Sequence, residues 1–343
     1  MIEFILYLLL IFFSTFVANK KEILPNYSGD SHQKFLNEKK IPLIGGFLIL
    51  PLLFLSFSEK DIFFVIISCL IFIIGFLSDS KILSSPKKRF ILQLIIVSLF
   101  VFYSNIEVTP TRIEPIDKIL QGNFLGLFFS IFCIMILING SNFIDGLNGL
   151  LLGYFLIIII TLYYFNLIDP QIIDQKKQVF LITAFLILLL LNYSNFFYLG
   201  DAGSYLTGFI LGYILISIYN FEIISNPSYN VISPYYIVLL LWYPCLENLF
   251  SLSRKLLNKK SPSLADNQHL HQLIYLYVKK RFNFKTNLIP NILSSFLINI
   301  FNIFLIFISS MNTYQTKTQI LLICIATFLY CSIYFLLKKK FNI

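Results

Sequence analysis

Charge is scarce in this sequence. Asp, Glu, Lys and Arg make up 13% of the residues, against 57% aliphatic and aromatic. That balance excludes an ordinary soluble domain and a nucleic-acid-binding surface, and it is the composition of polytopic membrane proteins. Cysteine offers no framework. Cys69, Cys133, Cys245, Cys324 and Cys331 all sit inside apolar runs without CxxC or Cys/His spacing. Neither a zinc site nor a set of disulfides is indicated, and they read as small core residues. The runs also lack alternation, and open sheet edges cannot face lipid, so spanning strands are excluded. No fixed-period repeat or inverted repeat stands out. No basic cluster precedes the first apolar run, which carries Glu3 at its start and Lys20 and Lys21 after its end. It reads as a retained anchor with its N-terminus outside, not a cleaved leader.

What is present is a series of long apolar segments: 2–18, 41–57, 62–77, 90–104, 123–139, 149–167, 178–193, 205–221, 234–250, 288–309 and 319–337. A spanning helix needs about 20 apolar residues, fewer when flanking residues snorkel. The expectation is an all-α, polytopic integral membrane bundle of about eleven spans, forming a single domain over 1–343. With the N-terminus outside, twenty of the 26 Lys and Arg fall on the inner side. Only Lys60, Arg112, Lys118, Lys176, Lys177 and Lys317 lie outside, as the positive-inside rule requires. The C-terminus is then cytoplasmic, and the net charge of +9 is mainly a topology signal.

Polar chemistry gathers on that same inner side. The stretch Asn139-Gly140-Ser141-Asn142-Phe143-Ile144-Asp145-Gly146-Leu147-Asn148-Gly149 lies between two apolar runs, and ionisable groups at membrane depth usually mark a site or pathway. At helical spacing Asn142 and Asp145 share a face, as do Asp145 and Asn148. Amide and carboxylate oxygens so grouped suit a nucleobase edge or Mg²⁺, although Asn and Gly also glue membrane helices together. Ser78-Asp79 ends one run, close to Lys87-Lys88-Arg89. Gly200-Asp201-Ala202-Gly203-Ser204 opens another, with the chemistry of a helix N-terminus that binds phosphate or simply caps. Pro244, Glu247 and Arg254 precede Asp266-Asn267-Gln268-His269-Leu270-His271. Two histidines without further ligands make zinc improbable, and contacting pyrophosphate or shuttling a proton more natural. The first inner loop adds Lys34 and the pair Gly45-Gly46; glycines there serve either a ligand or a flexible helix start.

Taken in order, Pro42-x-x-Gly45-Gly46, Gly75-x-x-x-Asp79, Ser85–Gln93, Asn142–Leu150, Gly200-Asp201-x-Gly203-Ser204 and Pro244…Glu247…Arg254…Asp266…His269-x-His271 resemble one family. It is the polyprenyl-phosphate N-acetylhexosamine-1-phosphate transferases of glycosyltransferase family 4, in the branch that starts O-antigen, capsule or teichoic-acid-like polymers. The peptidoglycan branch characteristically carries three consecutive His, absent here. The resemblance implies transfer of N-acetylhexosamine-1-phosphate from a UDP-sugar to undecaprenyl phosphate with release of UMP. It implies Mg²⁺, with Mn²⁺ as an alternative, in a bacterial cytoplasmic membrane with the site facing the cytoplasm; dimers occur in the family. It implies Asp201 and Asn142 as metal ligands and Asp79, Asp145, His269 and His271 as catalytic groups. Asp145 and Asn148 would lie near the uridine, and the histidines near the pyrophosphate. Substrate contacts are expected from Lys34, Gly45, Gly46, Lys88, Arg89, Asn139, Asn148, Ser204, Arg254 and Asp266.

The chain departs from the pattern in four places. Ser78 stands where most members have the first of two Asp, Asn148 where many have a second acid, Asn267 where an Arg is usual and Gln272 where a last His is usual. A catalytically impaired relative therefore stays open as a second reading. A transporter of an anionic solute, with polar groups on broken helices near the midplane, is a third.

Overall fold

The computed structural model describes residues 2–25, 41–57, 62–108, 110–120, 124–225, 231–259, 261 and 268–341. Every regular element among them is helical: α1 (Ile2–Lys20), α2 (Gly45–Ser56), α3 (Ile62–Asp79), α4 (Pro86–Ser104), α5 (Glu114–Leu120), α6 (Leu125–Ile144), α7 (Leu150–Tyr164), α8 (Gln175–Tyr193), α9 (Gly200–Ser225), α10 (Pro234–Leu240), α11 (Trp242–Leu257), α12 (Leu270–Arg281), α13 (Leu288–Ser310) and α14 (Thr316–Phe341). Two isolated bridges, Pro25 with Pro42 and Leu43 with Tyr198, are the only extended pairings among the described residues. The chain is a polytopic membrane protein. Seven helices (α1, α3, α6, α8, α9, α13 and α14) are long and apolar enough to cross a bilayer, and α10 with α11 makes an eighth if the bent pair counts as one span. α2 and α7 are apolar but shorter, and α4 begins with Lys87, Lys88 and Arg89. The eleven apolar segments thus all became helices, though not all of them are full-length spans.

The bundle is apolar on the outside as well as inside, as lipid demands. Phe12 of α1 is 72% exposed and Phe328 of α14 is 71% exposed. Lipid tails are as apolar as a protein core, so helices are held by close packing of small residues and by interhelical hydrogen bonds. α9 shows this best, enclosed by α2, α3 and α6. A Cβ at Gly75 of α3 would lie 2.3 Å from Ala202 Cα, and one at Gly46 of α2 would lie 2.7 Å from Ala202 Cβ. Polar pairs add to it elsewhere: Tyr154 Oη donates to the Leu240 carbonyl at 2.7 Å, and Trp242 Nε1 to Asn302 Oδ1 at 3.0 Å.

One of the expected spans is also bent. The segment 234–250 is broken at Leu241, where α10 and α11 meet at 76°. Pro244 explains it, because its ring clashes with the carbonyl four residues earlier and it cannot donate to it. That carbonyl belongs to Leu240, the last residue of α10. The bend sends α11 toward the start of α12, a helix inside what reads as an inner loop. α5 likewise lies within an expected outer connection.

Candidate active site

The ends of α3, α6 and α9 meet at a cluster of carboxylates. α9 begins without a cap of its own: its first backbone N–H groups have no intrahelical acceptor. Asp79, the last residue of α3, supplies one. Its Oδ1 accepts from Asp201 N–H at 2.8 Å and its Oδ2 from Ala202 N–H at 3.0 Å. Gly200 permits this, with φ at +67° and no side chain; a Cβ there would come within 2.6 Å of Asp79 Oδ2. An L-residue with a Cβ is strained at that φ and would displace the cap.

Capping aims the Asp201 side chain into a ring of partners. Its Oδ1 accepts from Asn142 Nδ2 at 2.7 Å, and the same amide donates to Ser204 Oγ at 2.9 Å. Its Oδ2 accepts from Ser78 Oγ at 2.5 Å, from Tyr205 Oη at 3.4 Å and from the guanidinium of Arg89, which forms an ion pair with it. Arg89 also donates to Ser78 Oγ at 2.5 Å. It is set on the first turn of α4 by Ser85, whose Oγ accepts from Lys88 N–H, and by Pro86. Asp145, just past α6, is half-buried. Burial first, then the neighbouring carboxylates of Asp201 and Asp79, pushes its carboxyl well above the usual range. Three acids from three segments therefore share one field.

A second cluster holds the histidines. Glu247 of α11, fully buried, accepts from His269 Nδ1 at 2.8 Å. Gln272 Oε1 accepts from His269 N–H at 3.1 Å, which starts α12. The His269 and His271 rings stack 5.6 Å apart, 14° from parallel. The Phe143 ring lies 5.3 Å from that of His269, and Lys255 Nζ, buried, sits 5.7 Å over Phe143. His271 Nε2 lies against Gly146, where a Cβ would approach it to 2.4 Å. The segment 142–146 thus touches Asp201 through Asn142, His269 through Phe143 and His271 through Gly146. The polar stretch between two apolar runs is the bridge between the acids and the histidines.

The other expected site residues have different surroundings. Gly45 and Gly46 pack against Leu199 and Ala202, and this close α2–α9 contact requires their small size. Asn148 is buried in an amide cluster: its Nδ2 donates to Asn192 O at 2.9 Å and Asn195 Oδ1 at 2.6 Å, while Asn291 Oδ1 accepts from its backbone N–H. Arg254 is buried too, donating to Tyr334 Oη at 2.8 Å, Ser251 Oγ at 3.3 Å and the Gln268 carbonyl. These are structural contacts where substrate contacts were expected. Asn139 Nδ2 donates to Gln93 Oε1 at 3.3 Å and to the Met135 carbonyl at 2.9 Å. Lys88 is exposed at the start of α4. Lys34 and Asp266 lie outside the described residues. Tyr205 and Lys255 enter without having been foreseen. The signal for Tyr205 is its i+4 spacing from Asp201; Lys255 had no comparable mark, because its partner Phe143 is remote in sequence.

Among the described residues, no three His, Cys, Asp or Glu come close enough to hold one ion. Mg²⁺ seldom needs that: it is usually held by one or two carboxylates, with water and substrate phosphate oxygens completing an octahedron. The Asp201 carboxylate, the Ser204 hydroxyl and the Asn142 amide, once turned to present its oxygen, are a donor set of that hard kind.

Residues 62–219 match the family model described as glycosyl transferase family 4. That stretch is similar to the domain of that family. The matched stretch contains Asp79, Arg89, Asn142, Asp145, Asp201 and Ser204, and stops short of Glu247, His269 and His271. Similarity to whole proteins runs further. An undecaprenyl-phosphate alpha-N-acetylglucosaminyl 1-phosphate transferase of Thermotoga maritima is 28% identical over 295 residues, 85% of this chain and 84% of its own. Its Escherichia coli K12 namesake is 26% identical over 279 residues, 78% and 72%. A probable undecaprenyl-phosphate N-acetylglucosaminyl 1-phosphate transferase of Bacillus subtilis is 21% identical over 284 residues, 80% and 77%.

Proposed function

We propose that this protein transfers N-acetylhexosamine-1-phosphate, with N-acetylglucosamine the sugar in the relatives' names, from a UDP-sugar to a polyprenyl phosphate. An oxygen of the lipid phosphate attacks the sugar-bearing phosphorus, the bridging P–O bond breaks, and UMP leaves. The observation that carries the reading is the bridge itself: one segment, 142–146, joins a carboxylate ring to a stacked pair of histidines. A hard-cation site beside imidazoles and cations is what two phosphate groups brought together require.

Asp201 would hold Mg²⁺, or Mn²⁺, with Asn142 and Ser204. Bound there, the cation offsets the charge of the phosphates. The chain's own groups do the positioning. Arg89 and Lys88 would face the phosphates from the start of α4, and His269 would meet the pyrophosphate from the other side, with the buried His271 stacked behind it. Asp145 lies between them, toward the nucleoside. Asp79 builds the centre by fixing the first turn of α9. A phosphate monoester is mostly ionised at neutral pH, its second pKa being about 6, so attack does not depend on a protein base. Ser78 is no gap in this arrangement, since its hydroxyl ties Asp201 to Arg89; that supports a working enzyme over an impaired one. The Lys and Arg bias read from the sequence supports a site on the cytoplasmic face of a bacterial inner membrane.

Membranes or nanodiscs carrying the protein are expected to exchange labelled UMP into UDP-N-acetylglucosamine, only with polyprenyl phosphate and Mg²⁺ present. Folded protein that gives no exchange with any UDP-N-acetylhexosamine would overturn the proposal.

A further inference from the structure

Glu247 lies outside the family 4 match and has no part in the chemistry above, yet it is a carboxylate only 1% exposed. A buried charge is costly unless paired, and the partner is the His269 ring, 2.8 Å away at Nδ1. The same Oε1 faces Leu270 N–H at 3.4 Å. Seven residues further on α11, two turns along the same face, Arg254 donates to the carbonyl of Gln268. α11 thus grips residues 268–270 at two points, and the bend at Leu241 brings it there.

We infer that Glu247 is a positioning residue which fixes the orientation and tautomer of His269 for phosphoryl transfer; this rests on the function proposed above. An ionised carboxylate only accepts hydrogen bonds, so Nδ1 carries the proton. Nε2, at the opposite edge of the ring, is the nitrogen presented to the substrate's phosphates. Phe143 and His271 pack on the ring and stop it turning. The arrangement is a carboxylate–imidazole pair aimed at a phosphate, in which the carboxylate acts only through the ring.

The test is a double-mutant cycle on the full-length protein with UMP exchange as readout. Glu247→Ala is expected to lower kcat about 10- to 100-fold, the size of loss known when a metal-bound histidine loses its outer partner. In a His269→Ala background the same change should cost less than about twofold, because its effect passes through a ring no longer there. Losses that multiply would overturn the inference and make Glu247 a structural residue. Glu247→Gln keeps the shape should the alanine variant not fold, and whichever way its amide turns, its effect must also vanish without His269. The chain has only three histidines, His32, His269 and His271, so ¹⁵N-histidine NMR reads the tautomer without any turnover. The expected result is one Nδ1–H ring assigned to His269 and altered in Glu247→Ala. An unaltered ring would refute the inference even if the protein proved to act on another substrate.

Discussion

Replacing Gly75 with Ala tests whether α3 and α9 set the geometry of the carboxylate cluster. The added Cβ would lie 2.3 Å from Ala202 Cα and 2.5 Å from Ala202 N, both backbone atoms that no side-chain rotation can clear. Ordinary contact starts at 3.4 Å, so the first turn of α9 must move by about 1 Å, an overpacking that typically costs about 1–3 kcal/mol. Asp79 is one turn further along α3 and caps that same turn at 2.8 and 3.0 Å. Shifted so far, both bonds stretch to near 4 Å and are lost, and Asp201 loses its aim. A misplacement of that size costs on the order of 100-fold in rate. Gly126→Ala is the control, because its Cβ meets first the flexible tip of Glu107 at 3.1 Å, far from the site. UMP exchange and thermal unfolding should both fall for Gly75→Ala and stay near wild type for Gly126→Ala. Gly75→Ala exchanging at the wild-type rate would refute the reasoning.

Three further outcomes are expected. Asp145 is pushed up by burial and by two neighbouring carboxylates, so its ionised form destabilises the fold at neutral pH, a penalty that disappears as pH falls toward the unfolded value of about 4. Asp145→Asn should therefore unfold at a higher temperature than wild type at pH 7 without metal, lose that advantage toward pH 4, and exchange UMP at least tenfold more slowly. Asn148→Asp sets a carboxylate against Asn192 O and Asn195 Oδ1, where a donor now stands; a loss of about 1–3 kcal/mol in thermal or denaturant unfolding is expected. Ser78→Asp adds a carboxylate beside Asp201, and ligand charge tunes cation affinity, so the Mg²⁺ giving half-maximal exchange should drop roughly tenfold. An unchanged Mg²⁺ dependence would mean that Asp201 is not where the ion binds.

Much of the bundle was legible because its signals are local. An apolar run of membrane length can hide its backbone polar groups only as a helix, and all eleven runs are helical. The polar residues between them were readable for the same reason: Asn142, Asp145 and Asp201 have no ordinary place beside hydrocarbon. What escaped was set by distant partners. The run at 205–221 begins at Gly200 in the structure because Asp79 caps it from another helix. Gly45 and Gly46 suggested a ligand, since nothing in their neighbourhood along the chain announces Leu199 and Ala202. Asn148 and Arg254 have the donors of binding residues, but Asn192 and Tyr334, remote in sequence, had already claimed them. The break at Leu241 was written in Pro244, whose effect falls four residues upstream of itself.

The cap on α9 has a consequence for biogenesis. The group that ends one helix's orphan N–H groups sits 122 residues upstream, with α4 through α8 inserted in between. The first turn of α9 therefore has no local reason to form as it leaves the ribosome; a nascent α9 would start its helix near Tyr205, where its apolar run does. Those last residues wind only when α3 and α9 meet inside the bilayer. Asp201 takes its place in that same event, so a half-inserted or mispaired chain cannot assemble the carboxylate ring. Docking of two helices, and not the synthesis of either, completes the centre.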